Sequence, residues 1–253
     1  MEISALILFL AMALIGSYVQ SVTGFAMGLL MIAVMIASGL VEVPFMAAVI
    51  SLLTLTNIVL SLRGHVHQIA RTLFVWLAIS VVPGVAAGVF LLTVLERREM
   101  ALLEGLLGLF IVCGSVAMLV RPRPRRVLSS PLATACAGLA GGVLSGLFSA
   151  SGPVMGGFMY RQPLALAGIR ATLLAYFALS TSVRLALVGM SGGLTPLVLQ
   201  YALAGLPMVL VGTWLGRRFA PLWSEATLKR GAFALLLATG AWMLLRAVRE
   251  LWA

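Results

Sequence analysis

Ser151-Gly152-Pro153-Val154-Met155-Gly156 interrupts a long apolar run, and Thr23-Gly24-Phe25-Ala26-Met27-Gly28 interrupts another in the other half of the chain. Both segments place small, polar or helix-breaking residues where the flanking sequence is continuously apolar. Broken helices in corresponding positions of two halves point to the binding site of a membrane transporter.

The surroundings of these breaks set the fold class. Of 253 residues, 62% are hydrophobic and 9% charged, and the mean hydropathy is +1.15. A soluble domain cannot hide that much apolar surface. Apolar runs near the length of a bilayer crossing recur along the chain, so an all-α integral membrane protein is expected. A β-barrel would show alternating segments, and none are present. The net charge of +10 would suggest nucleic acid in a soluble protein. Here the basic residues lie between spans, where they set topology and meet anionic headgroups. Membrane lipids are therefore expected partners and nucleic acid is not. Cys113 and Cys136 lie inside apolar runs and read as small buried hydrophobes. Met1-Glu2-Ile3-Ser4 lacks a basic leader, so the first helix is expected to be retained.

The runs divide into two units, 1–120 and 131–253, joined by a basic linker at 121–130. The first unit holds a broken stretch over 3–40 and spans near 44–62, 72–94 and 100–120. The second holds a broken stretch over 131–161 and spans near 165–190, 196–216 and 227–249. The halves share landmarks in order. Thr23, Gly24, Met27 and Gly28 match Ser151, Gly152, Met155 and Gly156; Pro83 and Gly88 match Pro207 and Gly212; Gly105 and Gly114 match Gly231 and Gly240. A duplicated unit is the simplest account. The arm after Pro153 reaches only to about Tyr160, roughly 12 Å of helix against the ~30 Å of a bilayer core.

Charge indicates how each broken stretch runs. If each is a re-entrant hairpin returning to its own side, one side holds Arg63, Arg71, the four linker arginines, Arg161, Arg170, Arg217, Arg218, Lys229 and Arg230. The other holds Arg97, Arg98, Arg246 and Arg249, which makes twelve against four. If each crossed once, this positive-inside bias would collapse. Each half then makes three full crossings, an odd number, so the second is inverted relative to the first. The expected architecture is two inverted repeats, each a re-entrant broken-helix hairpin plus three transmembrane helices. The linker faces the cytoplasm of an inner membrane and both termini face out.

In that arrangement the two breaks meet near the midplane. The arm after each break is expected to begin at its glycine, Gly24 or Gly152, with free N–H groups and the positive end of the helix dipole directed at the tip. Ser21, Thr23, Ser149 and Ser151 offer hydroxyls, Pro153 suits a first helical turn, and Gln20 and Phe25 adjoin the first break. A single such motif would read as a packing device; two copies in corresponding places point to a site. Arg184 lies inside a span, where it either meets an oxyanion group or snorkels to the helix end near Gly189. Asn57, Tyr176, Ser180 and Thr181 are further polar groups within apolar runs. His65 and His67 lack a third ligand for a metal. No metal, cofactor or catalytic residue is expected.

The motifs resemble the TauE/SafE family of sulfite and organosulfur exporters. The likeness rests on Gln20-Ser21-Val22-Thr23-Gly24-Phe25, on Leu144-Ser145-Gly146-Leu147-Phe148-Ser149-Ala150-Ser151-Gly152-Pro153, on Arg170-Ala171-Thr172, and on Pro207, Gly212 and Gly216. Phe25 and Ala26 stand where that family often carries glycine. The resemblance implies about eight membrane segments in two homologous halves and a small sulfur-containing anion as substrate. A secondary transporter working by alternating access is the resulting expectation, with a homodimer as an allowed assembly. An anion channel is the alternative. An intramembrane serine protease would need a base beside Ser151. The chain carries no GxxxxGK[ST] loop, so ATP is not its own energy source.

Overall fold

The computed structural model describes residues 3–98, 100–119, 125–219 and 225–252. The linker arginines Arg121 and Arg123 lie outside the described residues. The described residues form ten α-helices: α1 (Ile3–Thr23), α2 (Met27–Ala37), α3 (Val43–Leu62), α4 (Arg71–Arg98), α5 (Met100–Leu119), α6 (Pro131–Phe148), α7 (Gly152–Met159), α8 (Leu166–Met190), α9 (Pro196–Arg218) and α10 (Glu225–Trp252). A short 3-10 turn at Val66–Gln68 joins α3 to α4. No strand occurs among the described residues.

Helix starts follow local chemistry. Ser130 accepts the Ala133 N–H at the head of α6, and Thr195 accepts the Val198 N–H at the head of α9. Proline occupies the first turn of α3, α6, α7 and α9; its missing N–H costs nothing there. Helices α4 and α9 continue through Pro83 and Pro207.

Both apolar stretches are broken where expected, but not symmetrically. Gly24 and Ala26 both adopt positive φ, 83° and 99°, so α2 restarts at Met27 and not at Gly24. In the second half Ser149 takes the left-handed conformation (φ 54°), and α7 does start at Gly152. Each stretch is a long arm followed by a short one. Six described helices are long and apolar enough to cross a membrane: Ser4–Thr23, Val43–Leu62, Arg71–Glu96, Pro131–Phe148, Leu166–Met190 and Pro196–Arg218. Two of these are the first arms, at ~30 Å each. Each break therefore follows a helix long enough to cross a membrane by length and composition. At 11 and 8 residues, α2 and α7 are too short to cross alone.

The second stretch returns to its start. The Arg125 N–H donates to the Arg161 carbonyl at 2.7 Å, and Gln162 bridges to the Ser129 backbone and hydroxyl at 3.0 and 2.9 Å. Its two ends are thus side by side.

Helix packing repeats between the halves. α4 packs on α6 as α1 packs on α9; α3 meets α9 as α8 meets α4; α2 meets α10 as α7 meets α5; α3–α8 and α5–α10 pair directly. Exchanging α1–α5 for α6–α10 maps these pairs onto themselves. Small residues make the closest approaches. A Cβ at Gly88 would fall against the Val143 carbonyl oxygen, and one at Gly212 against that of Leu14. The core is apolar and centred on α2, α3 and the breaks. Cys113 and Cys136 are exposed on the helical surface and are not buried in the protein. They lie on apolar helices, and a small hydrophobe suits the outer face of a membrane helix as readily as a core.

Candidate functional site

The two breaks meet. A Cβ on Gly152 would lie 3.0 Å from Phe25 Cδ2 and 3.8 Å from the Ala26 nitrogen, and one on Gly28 would lie 2.5 Å from the Ser149 carbonyl oxygen. Phe25 stacks on Phe233 and meets Tyr160 edge-on, and the Tyr160 hydroxyl donates to the Thr23 carbonyl at 2.9 Å. The first break is thus clamped between α7 and α10.

Between the breaks lies a cavity with about 20 Å³ of room for water centres, space for one or two waters. Its walls include Gln20, Ser149, Ser151, Gly152 and Thr181, all expected from the sequence, with Ser180 beside them. Ala26, Gly28 and Leu29 at the head of α2 and Gly152 at the head of α7 bring two helix N-termini to it. Neither Ala26 nor Ser151 caps its helix with a side-chain hydrogen bond.

Among the described residues, three buried polar groups at this cavity lack a hydrogen-bond partner: Gln20 Nε2, Thr54 Oγ1 and Ser151 Oγ. The residues are 2%, 6% and 3% exposed. Leaving such a group unpaired costs on the order of 1–3 kcal/mol. The Gln20 orientation follows from chemistry, because its Oε1 accepts the Met27 N–H at 3.2 Å. The amide NH2, a pure donor, is the group left over. Both hydroxyls can donate too. Three donors with two helix N-termini suit an acceptor-rich, negatively charged ligand.

Arg184 is wholly buried and does not snorkel. Its Nε donates to the Gly146 carbonyl at 3.1 Å, and one terminal nitrogen donates to the Ala47 carbonyl at 3.1 Å and to Ser51 Oγ at 2.9 Å. The Ser51 and Ser149 hydroxyls are 2.9 Å apart, and Ser149 lines the cavity. The arginine therefore reaches the site through two hydroxyls. None of its hydrogen bonds among the described residues goes to a carboxylate. On its other side it borders a second cavity of about 250 Å³ with Glu42 and Glu96.

Other expected residues are engaged elsewhere. The Thr23 hydroxyl bonds within the break, to the Val19 and Phe25 carbonyls. Asn57 Nδ2 ties three helices together through the Ser17 carbonyl, Ser21 Oγ and Thr213 Oγ1. The Tyr176 hydroxyl donates to the Gly138 carbonyl. Pro153 packs where a Cβ on Gly114 would fall. Ser21 and Gly24 line a third cavity, not the central one. Thr54 and Ser51 were not anticipated, although Ser51, Thr54, Asn57 and Ser61 form a polar stripe at spacings of three and four on an apolar helix. Thr172, Tyr176, Ser180 and Arg184 form the matching stripe on α8. His65 and His67 sit at the α3–α4 turn and are exposed, and no group of three metal-binding side chains exists among the described residues.

Compared with known proteins, the sequence matches the family model described as sulfite exporter TauE/SafE over residues 8–243. It is 36% identical over 233 residues to a protein of Cupriavidus necator named probable sulfite/organosulfonate exporter TauE, a match covering 92% of this chain and 91% of that one. No solved structure matches it.

Proposed function

Because the chain belongs to the sulfite exporter TauE/SafE family, we propose that this multi-pass membrane transporter carries a small sulfur oxyanion, sulfite or an organosulfonate, outward across the cell membrane. The observation that carries this reading is the convergence of three unpartnered buried donors, Gln20, Thr54 and Ser151, on a cavity between two helix breaks. An oxyanion with three oxygens satisfies all three and gains the positive ends of α2 and α7. Arg184 supplies the counter-charge through Ser51 and Ser149.

The cavities support alternating access as the mechanism. The central one has room for a water or two, whereas those on either side of it open to about 340 and 250 Å³. A constriction of this kind favours alternating access over an open channel. Two inverted repeats with re-entrant hairpins are the architecture we assign to it. The adjacency of Arg125–Ser129 to Arg161–Gln162 and the exchange symmetry of helix packing support that assignment. The linker then lies in the cytoplasm. The alternative of nucleophilic catalysis would need a base bonded to the Ser151 hydroxyl, and among the described residues that hydroxyl has no hydrogen-bond partner. Purified protein in proteoliposomes tests the function. Saturable flux of sulfite, or of an organosulfonate such as isethionate or taurine, is expected. No flux above empty liposomes across that panel contradicts it.

A further inference from the structure

Beside the first break, on the side of the α3–α4 turn, lies a cavity of about 340 Å³. Ser21 and Gly24 at the end of α1 form its floor, His65 and Gln68 come from the turn, and Arg170 and Arg217 come from α8 and α9. No carboxylate lines it among the described residues. The cavity across the central site, by contrast, carries Glu42 and Glu96. Arg217 is anchored at the rim by donating one guanidinium nitrogen to the Leu60 carbonyl, which leaves further N–H groups of the planar fork for an anion. The Arg170 stem covers the break itself, 3.4 Å from where a Cβ on Gly24 would lie. Gly24 is held at φ 83°, a conformation in which its backbone is open to close approach.

We propose that this cavity is an antechamber, a second anion site that binds small sulfonates and other oxyanions before they pass the first break. Two cations in a concave wall of low dielectric raise the local concentration of anions. Ser21 and Gln20 are neighbours on α1, one on the antechamber and one on the central cavity, so the break is the partition between them. The antechamber is also far roomier than the central cavity. It accepts anions too bulky to pass.

The inference extends the transport reading but is tested apart from it. Binding of 1,3-benzenedisulfonate to purified protein is followed by isothermal titration calorimetry. One saturable site is expected, weakened about fivefold or more by Arg217→Gln and by Arg170→Gln. Arg217→Lys keeps the charge but loses the fork, so its affinity falls between those of wild type and Arg217→Gln. Thr54→Val with Ser151→Ala, which alters only the central cavity, leaves disulfonate binding unchanged. A rise in ionic strength weakens binding to the wild type, a readout that needs no variant to fold. Equal binding by wild type and both glutamine variants, or binding indifferent to salt, overturns the antechamber whatever the sulfite flux shows. A wild type that binds disulfonate but transports none of the panel anions overturns the transport reading alone.

Discussion

Arg184 carries a charge into the interior of α8, and its hydrogen bonds go to two carbonyls and a serine. A buried cation held by neutral dipoles is costly unless an anion comes to it. Arg184→Gln should therefore lower the initial rate of sulfite uptake at least tenfold, with Arg184→Lys intermediate; wild-type rates in the glutamine variant would remove the arginine from the account. Ala26 makes a second residue-scale prediction. Its φ of 99° is a conformation that costs an L-residue about 1–2 kcal/mol. Ala26→Gly should raise the thermal midpoint, and an unchanged or lower midpoint would show the strain to be absent. Much of the site was readable at this scale. Gln20, Ser149, Ser151 and Gly152 stood out because each interrupts or adjoins a break, and Thr181 because it is a polar group within an apolar run. Thr54 did not, since one threonine in an apolar helix looks like any other. Its signal was the stripe with Ser51, Asn57 and Ser61, visible only when helical spacing is laid over polarity. Which of Ser21, Thr23 and Asn57 reach the central cavity depends on how helices rotate against each other, and rotation is settled by packing across the whole bundle.

At the scale of helices, the closest contacts are made by glycines in corresponding places. Gly88 on α4 faces α6, and Gly212 on α9 faces α1, each with a neighbouring carbonyl oxygen where a Cβ would fall. Membrane helices gain little from apolar contact alone, so backbone approach carries the association. Leucine at either position should lower the unfolding midpoint, by about 2 kcal/mol or more of stability. Gly231→Ala is the contrast, because nothing lies within 4 Å of its added Cβ; it should be neutral or mildly stabilising through helix propensity. Similar midpoints for the leucine and alanine variants would argue against the packing. Helix limits were legible to within a few residues, since proline, serine and threonine mark the starts. The restart of α2 at Met27 was not legible. It depends on Ala26 taking a positive φ that an alanine in sequence gives no reason to expect.

For the whole molecule, the sequence carried two arguments for paired units: landmarks in the same order and a basic bias on one side. The exchange symmetry of the helix pairs supports the first. The second is a topological claim with its own test. In a protein whose Cys113 and Cys136 are replaced by serine, Val66→Cys should react with an impermeant maleimide only after the cytoplasmic face is opened, and Met190→Cys should react in intact cells. Both side chains are exposed, so the reverse pattern would turn the protein over. The central claim is that the two breaks form one anion site. Concentration-dependent uptake of 35S-labelled sulfite into proteoliposomes, by wild type and by Thr54→Val with Ser151→Ala, tests it most directly. Two of three converging donors are lost in the double variant, so its KM should rise at least about tenfold, with the amount of folded protein unchanged. Saturable uptake with the same KM in both proteins would contradict it.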